Sequence, residues 1–404
     1  MVSDLHGDRV LVTNAATGRV AGGVDVDGTW TDLCRVHDDQ HRFCLVYQSR
    51  GRTLGDGTPE IDLTFTPVGN DNSTVGDDYL DLGGRIAGVT FPGDFTEGTG
   101  EVRWQLDRLD FSQVDPDQLV CRRDPDDPCQ PASGLTVDEV RACQLYWPHE
   151  FQVVGEDTDS VQLAIADTRN HRVVWADLPL DSTCATVTEM VGGTSDPSVP
   201  GGNPDWDVYT SLNGLNFWED GAGRHLYLSI KDTQGGDSTG DGRGKILHWA
   251  ESGGWHQEWE FPAAEDSFVN SPHGISFDDT HVYFAHSLGR SDQFNEGEGG
   301  SFGVLDRDGT YQFDLILPKD DVLYARDITP LGDGRLALID SGTKGDEKAA
   351  AETRLWLVRL PKVTPLGFSG AWTEDHGESQ FEEANMVASP NYPDAWVFYS
   401  AENL

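Results

Sequence analysis

Two histidines, an arginine and an asparagine recur at one position of a repeated pattern. His149, Asn213, His273 and Arg326 each open a short apolar run, and Asp32 opens another. A polar residue followed by a few apolar ones, bounded by turn residues, reads as a strand. Where such strands line a channel, their opening residues gather at one mouth. The strand after each runs back, so its far end returns there and adds Arg169, Lys231, His286 and Asp340. An imidazole acts as nucleophile or as general acid and base near neutral pH. Guanidinium and ammonium groups hold oxyanions through charge-assisted hydrogen bonds. The expectation is a small-ligand site, selective for an anion such as sulfate or a carboxylate. In it His273 and His149 are the catalytic candidates. Arg326, Asn213, Asp32, Lys231, His286, Asp340 and Arg169 are the ligand-binding ones. The competing reading is that these polar residues satisfy one another around ordered water.

The elements that must position these residues form a repeat. A run, a turn and a second run occur at 32–36 with 43–47, 149–153 with 161–166, and 213–217 with 225–230. They occur again at 273–277 with 281–285, 326–330 with 335–339, and 384–387 with 395–399. From the third unit onward the spacing is roughly 50 to 60 residues, the scale of a four-stranded propeller blade. Most units continue with two further strands. The first is irregular, with outer strands expected at 60–66 and 101–111 and a polar loop between them. The last stops after two strands, and the runs at 9–13 and 19–26 supply what it lacks. The expected fold is therefore all-β, a six-bladed propeller occupying residues 1–404 as one domain. Its N-terminal strands complete the C-terminal blade, which removes an exposed sheet edge.

An excursion at 112–147 follows the first unit and carries a short helix at 137–142. Six cysteines, with no CxxC pair, favour disulfides over zinc. Cys34 and Cys44 lie on facing runs and are expected to bridge. In the excursion the local pairing is Cys121 with Cys129, which leaves Cys143 for Cys184. Bridges place the chain in an oxidising compartment outside the cytoplasm; six buried thiols would place it in the cytosol. The start at Met1 lacks a basic segment followed by an apolar one, so a signal sequence is not expected within this chain. No apolar run reaches the roughly 18 residues that span a bilayer. The segment Asp237-Ser238-Thr239-Gly240-Asp241-Gly242 is similar to the start of a calcium loop, with Asp237 and Asp241 as ligands, but lacks the closing Glu. The competing reading, a plain Gly-Asp turn, is the stronger one, and calcium is the one candidate cofactor.

Two stretches resemble known families. Asp167-Thr168-Arg169-Asn170-His171-Arg172-Val173 resembles the strand-turn-strand core of an NHL repeat, where Asn and His shape a turn. Residues 211–360 resemble successive strands of bacterial arylsulfotransferase-type propellers. The resemblance rests on Ser211-Leu212-Asn213-Gly214-Leu215, Pro272-His273-Gly274-Ile275 and the stretch from Arg326-Asp327-Ile328-Thr329-Pro330 to Ile339-Asp340-Ser341-Gly342. It implies sulfuryl transfer through a channel histidine. That would be His273, with His149 as helper and Arg326 holding the anion. The chain departs from that family at Arg326 and Asn213, where a histidine is common. The alternative is a non-catalytic binding or scaffold propeller, calcium-stabilised, with a protein partner.

The chain carries 70 acidic and 28 basic side chains, a formal net charge of -42. Such a surface repels nucleic acid and anionic membranes. It also repels itself, and salt screens that repulsion over a Debye length of about 10 Å at 0.1 M. The melting temperature should rise as monovalent salt increases from low to molar concentration. An unchanged value would mean that the acids are already balanced locally.

Overall fold

A computed structural model describes residues 2–4, 9–13, 20–25, 35–38, 41–43, 45–66, 84–91, 100–114, 121–192, 212–230, 244–252, 255–261, 269, 272–286, 301–316, 325–332, 334–340, 354–359 and 396–398. The chain divides into two compact units, which meet in sequence at Leu212 and Asn213.

The first unit opens with a three-stranded antiparallel sheet, β1 (Val2–Asp4), β2 (Arg9–Thr13) and β3 (Val20–Asp25), with β1 lying against β6 (Leu45–Thr53). A hairpin, β4 (Arg35–Asp38) and β5 (His41–Phe43), stands between them in sequence. Then β6, β7 (Pro59–Thr66), β8 (Arg85–Thr90) and β9 (Glu101–Leu106) form a four-stranded meander. The next meander is β11 (Pro148–Glu156), β12 (Ser160–Asp167), β13 (Arg172–Pro179) and β14 (Cys184–Gly192), and β10 (Arg108–Asp110) adds to β14 in parallel. In the second unit β15 (Leu212–Asp220), β16 (Gly223–Ile230), β17 (Lys245–Glu251) and β18 (Trp255–Phe261) form one meander. β19 (Pro272–Phe277), β20 (His281–His286), β21 (Ser301–Asp306) and β22 (Tyr311–Ile316) form the next. A third consists of β23 (Ala325–Gly332), β24 (Arg335–Asp340), β25 (Arg354–Arg359) and β26 (Trp396–Phe398). The fold is all-β, and its units are blades of the propeller type. Their strands are buried on both faces, as in Arg85–Thr90 and Pro272–Phe277, because each sheet packs between neighbours.

Three expectations change. The opening strand of the first repeat is β6, not 32–36, and its third strand is β8, which the sequence reading passed over. The cause is Gly88, whose missing side chain lets the Trp104 indole lie over the strand and leaves a weak apolar pattern. Near the C-terminus Trp396–Phe398 pairs with β25 through Leu355↔Phe398, so it is the fourth strand of that sheet rather than the neighbour of the N-terminal strands. The strands expected at 363–372 and 384–387 lie outside the described residues. The third change concerns the bridges, which are Cys121–Cys143 and Cys129–Cys184, with Cα atoms 4.9 and 6.1 Å apart. Pairing of Arg108 with Cys184 brings the excursion's start to β14, and Cys143 caps the helix α1 (Val137–Ala142) beside Cys121. Cys34 and Cys44 lie outside the described residues.

Neighbouring blades are joined differently in the two units. In the first, Arg52 reaches Glu60, Asp62 and Glu156, and Arg103 reaches Glu60 and Glu156. Three carboxylates thus face two guanidiniums. Burial, with Glu60 adjacent, pushes the Asp62 carboxyl up to about 8. In the second unit the seam is aromatic. Trp218 stacks on His225 with centroids 4.0 Å apart, and Arg307 sits 3.5 Å from the Trp218 centroid. His225 Nδ1 lies 3.1 Å from His248 Nε2, and His225 Nε2 lies 3.3 Å from Asp220 Oδ1. Burial, and then the neighbouring His225, push His248 down to about 4.

Between about pH 6.5 and 4 the folded state therefore holds fewer protons at His248 than the unfolded chain does, so this contribution is full above 6.5 and lost as pH falls. Asp62 runs the other way, because its folded state keeps a proton that the unfolded chain has released. A difference between variants separates the two. The stability cost of His248→Phe, measured by denaturant unfolding, should shrink by up to about 3 kcal/mol between pH 7.5 and 4.5. A cost independent of pH would contradict the buried neutral imidazole.

Candidate functional site

Each first strand whose pairing is described breaks register near its start. The break falls at Tyr47 between Val46 and Gln48, at His149 between Pro148 and Glu150, at His273-Gly274 between Pro272 and Ile275, and at Arg326 between Ala325 and Asp327. A β-bulge leaves one residue out of the ladder and re-aims its side chain. Three of the residues singled out for chemistry, His149, His273 and Arg326, thus lie at these breaks. Proline, which has no N–H to give the ladder, fits immediately before the break and precedes both histidines. In the first blade Tyr47, not Asp32, holds this position; Asp32 lies outside the described residues.

The two histidines stand in the same local frame, one in each unit. Gly84 N donates to Leu145 O at 2.8 Å, and Gly244 N donates to Val269 O at 2.7 Å; each acceptor lies three residues before the proline. A Cβ on Gly84 would collide with the Pro148 ring, and one on Gly244 with the Pro272 ring. Gln48 N donates to Thr64 Oγ1 at 2.8 Å, and Gly214 N donates to Ser229 Oγ at 2.7 Å.

His273 and Arg326 come from adjacent blades of the second unit and meet. Arg326 Nη1 donates to His273 Nε2 at 2.7 Å. The same Nη1 lies 3.5 Å from His273 Nδ1; a guanidinium only donates, so a neutral ring that takes the shorter contact accepts at Nε2 and carries its proton on Nδ1. His273 is 6% exposed, Asn213 3% and His286 2%. Asn213 was expected to touch ligand, but its Nδ2 donates to Pro272 O at 2.8 Å. His286 ends β20 opposite Pro272, with its ring 4.7 Å from Phe284. Asp340 pairs through its backbone with Ala325 and Arg354. In the first unit His149 is buried near Trp147, with ring centroids 6.4 Å apart.

Arg169 lies in a 3-10 turn, Thr168–Asn170, followed by His171 at φ 56°. Asn170 Nδ2 donates to Gln144 O at 2.9 Å and to Asp167 Oδ2 at 2.8 Å, and Arg172 Nε donates to the same Asp167 oxygen at 2.8 Å. The NHL-like segment is therefore a clamp that holds the end of the excursion. Lys231, Asp237 and Asp241 lie outside the described residues. Among the described residues no three His, Cys, Asp or Glu gather to hold a metal.

Chemically, the second-unit pair sets an imidazole beside a guanidinium. Ser229, which sequence reasoning missed, completes the frame: its Oγ accepts from Gly214 N and donates to His273 O. The two Pro-His doublets, at 148–149 and 272–273, were the available signal for the bulges.

No protein-family model matches the sequence, and no curated protein matches it. Solved structures similar to this chain include a hypothetical selenium-binding protein from Sulfolobus tokodaii, at 12% identity and TM-score 0.40. That match covers 69% of this chain and 55% of the other, little more than half its length. A PQQ-bound aldose sugar dehydrogenase from Streptomyces coelicolor matches at 13% identity and TM-score 0.39, over 88% of this chain and 89% of the other. An exo-β-1,3-galactanase from Phanerochaete chrysosporium matches at 8% identity and TM-score 0.42, over 89% of this chain and 64% of the other. At these scores the likenesses carry no argument, and the blade architecture rests on the chain's own strand pairing.

Proposed function

We propose that this protein is an extracytoplasmic six-bladed propeller that binds a small oxyanion at Arg326 and His273 and transfers a sulfuryl group through His273. The observation that carries the reading is the 2.7 Å contact from Arg326 Nη1 to His273 Nε2. It sets an imidazole beside a cation, the pairing that nucleophilic group transfer needs. When the sulfate oxygens take over the Arg326 Nη1 donor, Nε2 is released and attacks the sulfur of an aryl sulfate; the N–S bond forms as the S–O ester bond breaks, and the phenolate leaves and takes a proton from solvent. A phenol acceptor then reverses the step and restores the imidazole. The bridges Cys121–Cys143 and Cys129–Cys184 support an oxidising compartment, and no helix among the described residues is long and apolar enough to cross a membrane.

A second reading, a non-catalytic binding or scaffold propeller, is favoured by Asn213 and Ser229, whose polar groups are engaged by backbone. Sulfate calorimetry and a transfer assay with an aryl sulfate and a phenol separate the two. In the wild type both should be positive. Arg326→Gln should weaken sulfate binding by at least about tenfold, the loss of one charge-assisted bond. His273→Ala should abolish transfer. Binding without transfer would leave only the non-catalytic reading, and neither binding nor transfer would remove the anion site altogether.

A further inference from the structure

We infer that Ser229 is the positioning residue of the His273–Arg326 pair, an inference that rests on the anion-site reading above. A bulged residue has no ladder partner to set its backbone, so something else must fix the direction of its Cα–Cβ bond. For His273 both flanking peptides are held from the preceding blade. Asn213 Nδ2 binds the Pro272 carbonyl at 2.8 Å, and Ser229 Oγ binds the His273 carbonyl. The Ser229 hydroxyl is fully buried and uses both its functions, because it also accepts from Gly214 N at 2.7 Å.

The fit is close. A Cβ on Gly214 would come within 2.5 Å of His273 O and 2.6 Å of Ser229 Oγ, so only glycine lets the strand approach. Ser229 thereby relays the position of β15 to the peptide that aims the imidazole at Arg326. It touches no ligand itself. The first unit contains the natural control. Thr64 occupies the corresponding place on β7 and accepts from Gln48 N at 2.8 Å, so a branched hydroxyl fits this frame.

The test reads the His273 ring directly, by side-chain nitrogen NMR, with the resonance assigned through its loss in His273→Asn. Wild type should show one tautomer, with the proton on Nδ1 and Nε2 accepting. Ser229→Ala should give a mixture of tautomers, and Ser229→Thr should restore the single one. Sulfate affinity, measured by calorimetry, should fall by about tenfold in Ser229→Ala and recover in Ser229→Thr. If Ser229→Ala does not fold, Ser229→Cys keeps the volume with only a weak donor and should show the same mixture. A merely structural serine would lower the melting temperature and leave the tautomer unchanged, and that result overturns the inference. If the wild type binds no sulfate, the anion reading fails, while the tautomer measurement still decides the role of Ser229.

Discussion

Neighbouring first strands must lie close together, yet each already uses one edge to pair with its own sheet. The backbone groups on the other edge still need partners, because a buried carbonyl left unpaired is costly. Here side chains of the first two strands of one blade meet the backbone of the next blade's first strand without a ladder between them. Asn213 reaches Pro272 O, Ser229 reaches His273 O, and Asn216 Nδ2 reaches Ile275 O at 3.2 Å. Glycines make the approach possible. A Cβ on Gly214 would press on the His273 carbonyl, and one on Gly274 would collide with Asp327 Oδ1. The bulges follow from the same constraint. Where the strand leaves its ladder to meet a neighbour, one residue is released, and that residue is available for chemistry.

Charge sets the terms on which a ligand arrives. A net charge of -42 opposes an anion at long range, so an anion site of the kind proposed would have to work through short-range bonds. The blade seams use charge in two ways. The first unit packs two guanidiniums among three carboxylates, while the second sets a single guanidinium, Arg307, against Trp218, Phe277 and Tyr227. At equivalent places, then, one seam is held by ion pairs that need a buried proton at Asp62, and the other by ring stacking that needs a neutral His248. Acid acts on them in opposite directions.

Much of this was legible in the sequence, and the failures have physical causes. Runs such as Leu226-Tyr227-Leu228 and Val282-Tyr283-Phe284 are apolar throughout because both faces are covered, and they marked second strands correctly. His273 and Arg326 were placed in adjacent blades, where the structure has them. The first blade was misread because Gly88 and Trp104 exchange volume across the sheet, which no single-strand pattern reveals. Asp32 was chosen where Tyr47 stands because the runs at 32–36 and 43–47 fit the repeat. The disulfide pairing depends on β10 joining β14 in parallel, a long-range contact that short-loop reasoning does not reach. Asn213 was taken as a ligand residue because its type suits one. Its actual partner, the Pro272 carbonyl, belongs to a blade about 60 residues away and is invisible to local spacing.

The central claim is that the bulged pair on adjacent blades forms an oxyanion site. Crystals soaked in selenate, which replaces sulfate and scatters anomalously, locate the anion directly. The account predicts an anomalous peak within hydrogen-bond distance of the Arg326 guanidinium and beside His273 Nε2, lost in Arg326→Gln. Selenate found only at other positions, or no ordered selenate with Arg326 still bonded to His273, would contradict it.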